Sequence, residues 1–144
     1  MNKISSILAR KGAFAVSVSP ATTVLDALKI MAEKNIGSVV VTDQDRYLGI
    51  VTERDYSRKV ILKGKHSDDT LVSEIMSGDL PSLQPGDSVE HCMSLMTQNN
   101  IRYLPVFDNG QLCGIISMSD VVKETIMAQK ETITHLESYI HGQG

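Results

Sequence analysis

The chain has 144 residues, of which 42% are hydrophobic and 22% charged, and its formal net charge is −3 at pH 7. This length suits about one compact domain, and the mild acidity gives no electrostatic footprint for nucleic acid or an anionic membrane. No apolar run suggests a signal peptide or a membrane span, and Cys92 and Cys113 lack a CxxC spacing, so we expect a soluble, cytoplasmic protein without disulfides.

The first elements in chain order are a short extended segment at residues 15–18 and an amphipathic helix that Thr22 or Thr23 can cap. The apolar residues of this helix follow the i, i+3, i+4, i+7 spacing, at Val24, Ala27, Leu28 and Met31. Two apolar runs follow, at residues 38–42 and 47–51, separated by an Asp-containing turn. They predict a β-hairpin that leads into a second helix.

The same order of elements returns in the second half of the chain. Residues 20–55 align with residues 85–120 without a gap, and ten of the 36 positions are identical. The second copy predicts an extended segment at 81–83, a helix capped by Ser88, and strands at 103–107 and 111–116. The chain is therefore two copies of one β-α-β-β-α unit.

The repeat suggests a division of the chain into four parts. Residues 1–64 would hold the first repeat with an N-terminal helix, residues 65–72 a polar linker, residues 73–125 the second repeat, and residues 126–144 an extended C-terminal helix. Apolar residues of that last helix step by four and three as in a coiled coil, with one polar member: Val122, Ile126, Gln129, Ile133, Leu136 and Ile140. A partner helix of a homodimer could cover this seam, or the helix could fold back over its own domain.

The strongest local motif is Gly-x-x-[Thr/Ser]-x-x-Asp, which occurs at residues 49–55 and 114–120. A capping box at the start of a helix would explain either copy alone. Three features favour ligand binding in addition: a helix N-terminus suits a phosphate, a hydroxyl beside an aspartate suits a ribose diol, and the arrangement occurs twice at the end of a strand.

The gapless repeat, the two motifs and the segment Ile101-Arg102-Tyr103-Leu104-Pro105-Val106 resemble a tandem pair of CBS domains, the module named after cystathionine β-synthase, and the small stand-alone bacterial members in particular. The resemblance covers about residues 4–125. It implies an α/β (α+β) fold in which two β-α-β-β-α units pack sheet against sheet with pseudo-twofold symmetry. It also implies two clefts between the repeats that bind adenine nucleotides: AMP, ADP, ATP, NAD or S-adenosylmethionine.

The resemblance also implies roles for individual residues. Asp55 and Asp120 would bind the ribose hydroxyls, and Thr52 and Ser117 would contact ribose or phosphate. The adenine would lie against Val16, Ser17, Gly37, Ser38 and Val39 in the first copy, and against Ser82, Leu83, Tyr103, Leu104 and Pro105 in the second. Arg102, which stands where the first copy has Gly37, could pair with phosphate in the second copy. The first copy has Arg54 where the second has Ser119, so the two affinities are expected to differ.

No other cluster in the sequence predicts chemistry. The four histidines (His66, His91, His135 and His141) lack ligand spacing, so we predict no metal site and no cofactor beyond the nucleotide. Arg58, Lys59, Lys63 and Lys65 form a basic cluster that is typical of a solvated helix face or of a contact with a phosphate tail or a partner. The sequence contains no Walker motif, nucleophile elbow or HExxH.

Two kinds of function follow from these observations. The first is a non-enzymatic nucleotide sensor that acts in trans on an unknown effector protein, since no effector domain is recognisable in the chain. The alternative is a structural or protein-interaction module with non-functional clefts. An enzyme such as a nucleotide hydrolase and a nucleic-acid-binding protein fit the sequence less well.

Overall fold

The computed structural model describes residues 2–12 and 15–143, except for the side chains of residue 139 and residues 141–143. The chain divides into two compact units. The first-repeat unit comprises residues 14–80, and the second-repeat unit comprises residues 1–13 together with residues 81–144.

The first-repeat unit contains the predicted β-α-β-β-α order. Its elements are β1 (Ser17–Val18), α2 (Val24–Lys34), β2 (Ser38–Asp43), β3 (Arg46–Thr52) and α3 (Glu53–Lys59), followed by a 3-10 turn (Ile61–Lys63) and the short helix α4 (Val72–Ile75). β1 is parallel to β2, and β2 is antiparallel to β3. The Thr23 side chain accepts a hydrogen bond from the amide of Asp26, which confirms Thr23 rather than Thr22 as the helix cap.

The second-repeat unit contains α1 (Ile4–Lys11), α5 (Val89–Asn99), β4 (Tyr103–Asp108), β5 (Gln111–Ser117) and α6 (Met118–Gln143). Ser88 caps α5 as predicted. The extended segment at residues 81–83 is reduced to a single parallel bridge between Leu83 and Val106. The predicted mixed α and β architecture is confirmed, and the boundaries of the hairpin strands differ from the predicted ones by one residue at most.

The repeat is preserved in the fine structure of the two hairpins. Ser38 is paired with Thr52, and Tyr103 is paired with Ser117, at equivalent positions of the two copies. Both hairpins have a register shift after the fourth residue of the first strand, at Val41 and at Val106. The sequence repeat therefore corresponds to a repeat of backbone register.

The division of the chain differs from the predicted one because each repeat is covered by a helix from outside it. Helix α1 belongs to the second-repeat unit, although the prediction placed it with the first repeat. Its apolar residues Ile4, Ile7 and Leu8 lie in the core of that unit. Residues 65–80, which include the predicted linker and the start of the predicted second repeat, belong to the first-repeat unit. Val72 and Ile75 of α4 lie in its core.

The two covering helices are joined to their units by the same hydrogen bonds. The amide of Val24 donates to the carbonyl of Thr70 (2.8 Å), and the amide of Val89 donates to the carbonyl of Asn2 (3.0 Å). Isolated bridges connect Thr23 with Leu71 and Lys3 with Ser88. Residues 5–8 and residues 73–76 share the pattern Ser-x-Ile-[Leu/Met], and they occupy corresponding places in the two units. They are 68 residues apart, slightly further than the 65 residues between the two copies of the main repeat.

Candidate ligand-binding sites

The aspartate of the first repeat is held by a capping box at the start of α3. The Asp55 carboxylate accepts hydrogen bonds from the Thr52 amide (2.9 Å) and from the Thr52 hydroxyl (3.1 Å) through Oδ2, and the Asp55 amide donates to the same hydroxyl oxygen (3.1 Å). Lys59 lies one turn further on, with its Nζ 3.1 Å from Oδ1 of Asp55. Lys59 also donates to the carbonyl of Ile75 in α4 (2.9 Å).

The other residues predicted for the first site lie at the same end of the sheet. Ser38 is paired with Thr52, the Gly37 carbonyl accepts a hydrogen bond from the Glu53 amide (3.2 Å), and the Val16 carbonyl accepts one from the Val40 amide (2.9 Å). The structure therefore brings the predicted main-chain groups and the aspartate to neighbouring strand ends.

Three of the remaining residues of the first site have distinct surroundings. The Val39 side chain is an exception to the predicted site, because it is 1% exposed and lies in the hydrophobic core, which leaves only its main chain for a ligand. Ser17 is exposed on β1, and Arg54 is half-buried beside Asp55.

The aspartate of the second repeat has the same box but a different lysine. The Ser117 amide donates to Asp120 Oδ2 (2.8 Å), and the Asp120 amide donates to the Ser117 hydroxyl (3.1 Å). The lysine is Lys11, at the C-terminal end of α1, with its Nζ 2.6 Å from Asp120 Oδ2 and 2.8 Å from the carbonyl of Ile115. The carboxylates of Asp55 and Asp120 are 13% and 14% exposed, so both repeats present a nearly buried, lysine-paired aspartate.

The second site is assembled from strand ends in the same way. Tyr103 is paired with Ser117, the Arg102 carbonyl accepts from the Met118 amide (2.9 Å), and the Pro105 carbonyl accepts from the Leu83 amide (2.9 Å).

The side chains of the second site divide between the core and the surface. Ser82 and Arg102 are exposed. Leu83 and Leu104 are 0% exposed in the core, so their side chains are not available to a ligand. Pro105 is buried as well, as is Val106 after it, so burial does not alternate along β4, whereas Tyr103 is half-buried.

Comparison with protein families identifies the repeat. The model of the CBS domain matches the chain twice, at residues 13–61 and 72–126. The chain belongs to the CBS-domain family. It carries two CBS domains, and the two capped aspartates lie at corresponding positions of these repeats.

Several relatives share this pair of CBS domains. The CBS domain-containing protein CBSX3, mitochondrial, of Arabidopsis thaliana is 39% identical over 125 residues, which cover 83% of this chain and 61% of the plant protein. CBS domain-containing protein YhcV of Bacillus subtilis is 36% identical over 105 residues, which cover 73% of this chain and 74% of the bacterial one. The chain thus spans less than two thirds of the plant relative.

Solved CBS structures have the same fold. A Burkholderia ambifaria protein with CBS domains, named for signal transduction, superimposes with a TM-score of 0.85 at 44% identity, over 89% of this chain and 96% of that one. A hexameric CBS-CP12 protein from bloom-forming cyanobacteria superimposes with a TM-score of 0.73 at 34% identity, over 85% of this chain and 70% of the other.

Sequence reasoning missed the two cations that α1 contributes to the second repeat, Lys11 beside Asp120 and Arg10 beside Glu124. Lys59 could have been predicted as a partner of Asp55, because residues four apart share a helix face. Lys11 carried no such signal, since 109 residues separate it from Asp120. Arg10 was missed for the same reason: its guanidinium lies 3.1 Å from Glu124, whose side chain is only 3% exposed, and 3.3 Å from Glu131.

The chemistry available at the two sites is recognition by hydrogen bonds and charge. A carboxylate can accept hydrogen bonds from a diol, and the neighbouring lysine and main-chain groups can bind polar parts of the same ligand.

Burial, helped by the charges of Asp120 and Asp87, raises the pKa of the Cys92 thiol to about 11, so this cysteine is a protonated core residue at neutral pH. Among the residues that the structure describes, no group of three or more His, Cys, Asp or Glu side chains could hold a metal ion. No helix in the described part of the chain is long and apolar enough to cross a bilayer.

Proposed function

We propose that this CBS-domain pair is a non-enzymatic regulatory module that binds an adenine nucleotide (AMP, ADP, ATP or NAD) and signals to a separate effector protein as a homodimer in the cytoplasm. The observation that supports the proposal is the duplicated arrangement of a hydroxyl, a capped aspartate and adjacent strand ends. In this proposal Asp55 and Asp120 accept hydrogen bonds from the ribose hydroxyls, and Thr52 and Ser117 contact ribose or phosphate.

The geometry supports recognition of a diol for a physical reason. Each carboxylate is fixed in orientation by its capping box and by a lysine, so little side-chain entropy remains to be lost when a ligand binds. Each carboxylate is also nearly buried, which strengthens a hydrogen bond to a ligand hydroxyl relative to one made in bulk water.

A regulatory role also agrees with the signal-transduction name of the Burkholderia relative. A ligand can change the output only if it binds two states of the module with different affinities. The effector protein would have to distinguish these two states.

The experiment is a thermal-shift panel of AMP, ADP, ATP, NAD, NADH and S-adenosylmethionine on the wild type and on Asp55→Ala and Asp120→Ala. A ligand at 100 times its dissociation constant should add about 2.7 kcal/mol to the free energy of unfolding. A shift that one of the two variants abolishes would identify both the nucleotide and the repeat that binds it.

The chain offers a matched pair of control variants. Asp43 and Asp108 occupy corresponding, exposed positions in the two hairpin turns, so Asp43→Ala and Asp108→Ala should keep the full shift. The absence of a shift for every nucleotide would contradict the proposal.

The alternative, an interaction module without functional ligand sites, has one observation in its favour. The C-terminal helix exposes apolar side chains: Val122, Ile126, Ile133, Leu136 and Ile140 are between 46% and 66% exposed. This alternative predicts that no nucleotide shifts the unfolding temperature. It also predicts that Asp120→Ala changes stability only through the lost cap and the lost pair with Lys11.

A further inference from the structure

In the part of the chain that the structure describes, the apolar side chains in the C-terminal half of α6 are left uncovered, and an ion pair between Glu131 and Arg10 is the tertiary contact described there. Every described side chain from Gln129 to Ile140 is exposed, and the exposed fractions include 55% for Ile133, 58% for Leu136 and 66% for Ile140. Isolated helices of about 12 residues are marginal in water. This segment also contains two threonines and Ile133, which as β-branched residues disfavour a helix. The helix therefore needs another surface to pack against.

The apolar side chains of this segment form one continuous seam. The seam comprises Val122, Ile126, Gln129, Ile133, Leu136 and Ile140. Val121 and Glu124 are buried and mark the face of α6 that packs on its own unit. At 100° per residue, the seam lies about a third of a turn away from that face. The surface that binds its own unit and the seam are thus different faces of one helix.

We propose that the seam binds the same seam of a second copy of the chain in an antiparallel orientation, with the twofold axis at the level of Glu131. In this register Val122 packs against the partner's Ile140, Ile126 against the partner's Leu136, and Gln129 against the partner's Ile133. Every seam residue meets another seam residue, because the spacing of the seam is the same read in either direction. The proposal rests on the homodimer of the proposed function and gives it a specific interface and orientation.

The charges beside the seam favour the antiparallel orientation. Lys123, Lys130 and Glu137 follow the seam on one side. Antiparallel pairing brings Lys123 next to the partner's Glu137 on both sides of the axis, which gives two attractive pairs. The same pairing brings the Lys130 side chains of the two copies close to each other. Their long aliphatic stems allow the two ammonium groups to point apart into water.

The parallel orientation lacks these charge pairs. It would set Lys130 and Glu137 opposite threonines of the other helix and would stack Gln129 on Gln129 inside the seam. The antiparallel arrangement is therefore the one that the charges support.

The first test measures the molar mass by light scattering during size-exclusion chromatography. Wild type should elute as a dimer, and Ile133→Asp should halve the mass, because it puts two carboxylates near the axis of the interface. Thr134→Asp adds the same charge about a third of a turn away from the seam and should remain dimeric. A monomeric wild type, or a dimer that Ile133→Asp leaves intact, would overturn the proposal and assign the seam to another protein.

The second test determines the orientation by cross-linking with a short bismaleimide after Cys92 and Cys113 are replaced by Ala. A mixture of Ile126→Cys and Leu136→Cys proteins should cross-link, and neither protein alone should do so efficiently. In the antiparallel register, identical residues at these positions lie about 15 Å apart along the axis. Efficient cross-linking of each variant with itself would indicate a parallel pair and overturn the orientation.

The thermal-shift panel of nucleotides, applied to Ile133→Asp and to wild type, distinguishes a failure of the proposed interface from a failure of the proposed nucleotide binding. If Ile133→Asp is monomeric but retains the nucleotide shift, the interface and the ligand sites are independent. If wild type is dimeric but no nucleotide shifts its unfolding temperature, the proposed ligand binding fails and the interface stands.

Discussion

The two CBS repeats differ in where the lysine beside the aspartate comes from. In the first repeat Lys59 lies four residues after Asp55 on the same helix. The corresponding position of the second repeat is Glu124, which cannot pair with Asp120. There the cations come from α1, where Lys11 pairs with Asp120 and Arg10 pairs with Glu124.

This difference shows how a single charge reversal is compensated. A glutamate that is 3% exposed needs a cation to offset the cost of its burial, and α1 provides two adjacent ones. In an alignment of α1 with α4, Arg10 and Lys11 correspond to Gly78 and Asp79, neither of which is a cation. The first repeat needs no cation from this segment, because Lys59 already pairs with Asp55. The aspartate of the second repeat therefore depends on a distant segment for its cation, whereas the pair of Asp55 with Lys59 lies within one helix.

The largest expected effect is that of Arg10→Ala. The substitution leaves the buried carboxylate of Glu124 without its cation and should lower the free energy of unfolding by about 3 kcal/mol in urea denaturation. Lys59→Ala removes the cation of Asp55 in the first repeat, from a pair whose lysine is 42% exposed, and should cost less than about 1 kcal/mol. Adding Glu124→Gln to Arg10→Ala should recover part of the loss. Equal losses of unfolding free energy in Arg10→Ala and Lys59→Ala would contradict the proposed difference between the two repeats.

The second prediction compares two glycines at equivalent positions of the repeat. A Cβ at Gly49 would lie 2.7 Å from the carbonyl oxygen of Ser77, which is backbone, whereas a Cβ at Gly114 would meet only the end of the Leu8 side chain at 2.8 Å. Gly49→Ala should therefore cost about 2 kcal/mol, and Gly114→Ala less than half of that, because the leucine can rotate. Thermal unfolding of both variants measures the difference, and a greater loss in Gly114→Ala would contradict it.

The third prediction concerns the aspartates themselves. Asp55→Ala should cost about 1 kcal/mol through the lost capping interaction. Asp120→Ala should cost about 1.5 kcal/mol, since Lys11 loses its partner as well. Hydrogen exchange should become faster in residues 4–11 for Asp120→Ala and remain unchanged there for Asp55→Ala. Unchanged exchange of α1 in Asp120→Ala would mean that Lys11 does not tie the helix to the second repeat.

The smallest effect is the pH dependence that Cys92 adds to the stability of the second repeat. The pKa of Cys92 is raised to about 11, and the corresponding residue of the first repeat is Ala27. The unfolded chain loses the thiol proton at lower pH than the folded one, so the stability that Cys92 contributes is present below about pH 9. It falls as the pH rises towards 11. Between pH 8 and pH 10, wild type should lose about 1 kcal/mol more than Cys92→Ala in urea titrations, and equal losses would contradict the prediction.

The sequence predicted those features that depend on neighbours a few residues apart. The internal repeat, the caps at Thr23 and Ser88, and both hairpins follow from local periodicity and local hydrogen bonds. The pairings of Thr52 with Asp55 and of Ser117 with Asp120 are of this kind, since each spans three residues.

The sequence did not predict that α1 belongs to the second-repeat unit or that residues 65–80 belong to the first-repeat unit, because amphipathic spacing shows that a helix has an apolar face but not which core that face covers. The burial of the Val39, Leu83 and Leu104 side chains also escaped prediction. Strand alternation could not have indicated it, because three consecutive residues are buried in β2 and again in β4.

The sequence by itself determined the family, the repeated unit and the two aspartates with their capping hydroxyls, since these are encoded in short segments that fold by local rules. Only the tertiary structure decided which helix covers which repeat and which lysine pairs with Asp120. The contact between Lys11 and Asp120 spans 109 residues. Such contacts form because a buried apolar face and a buried carboxylate must each find a partner in space, wherever along the chain it lies.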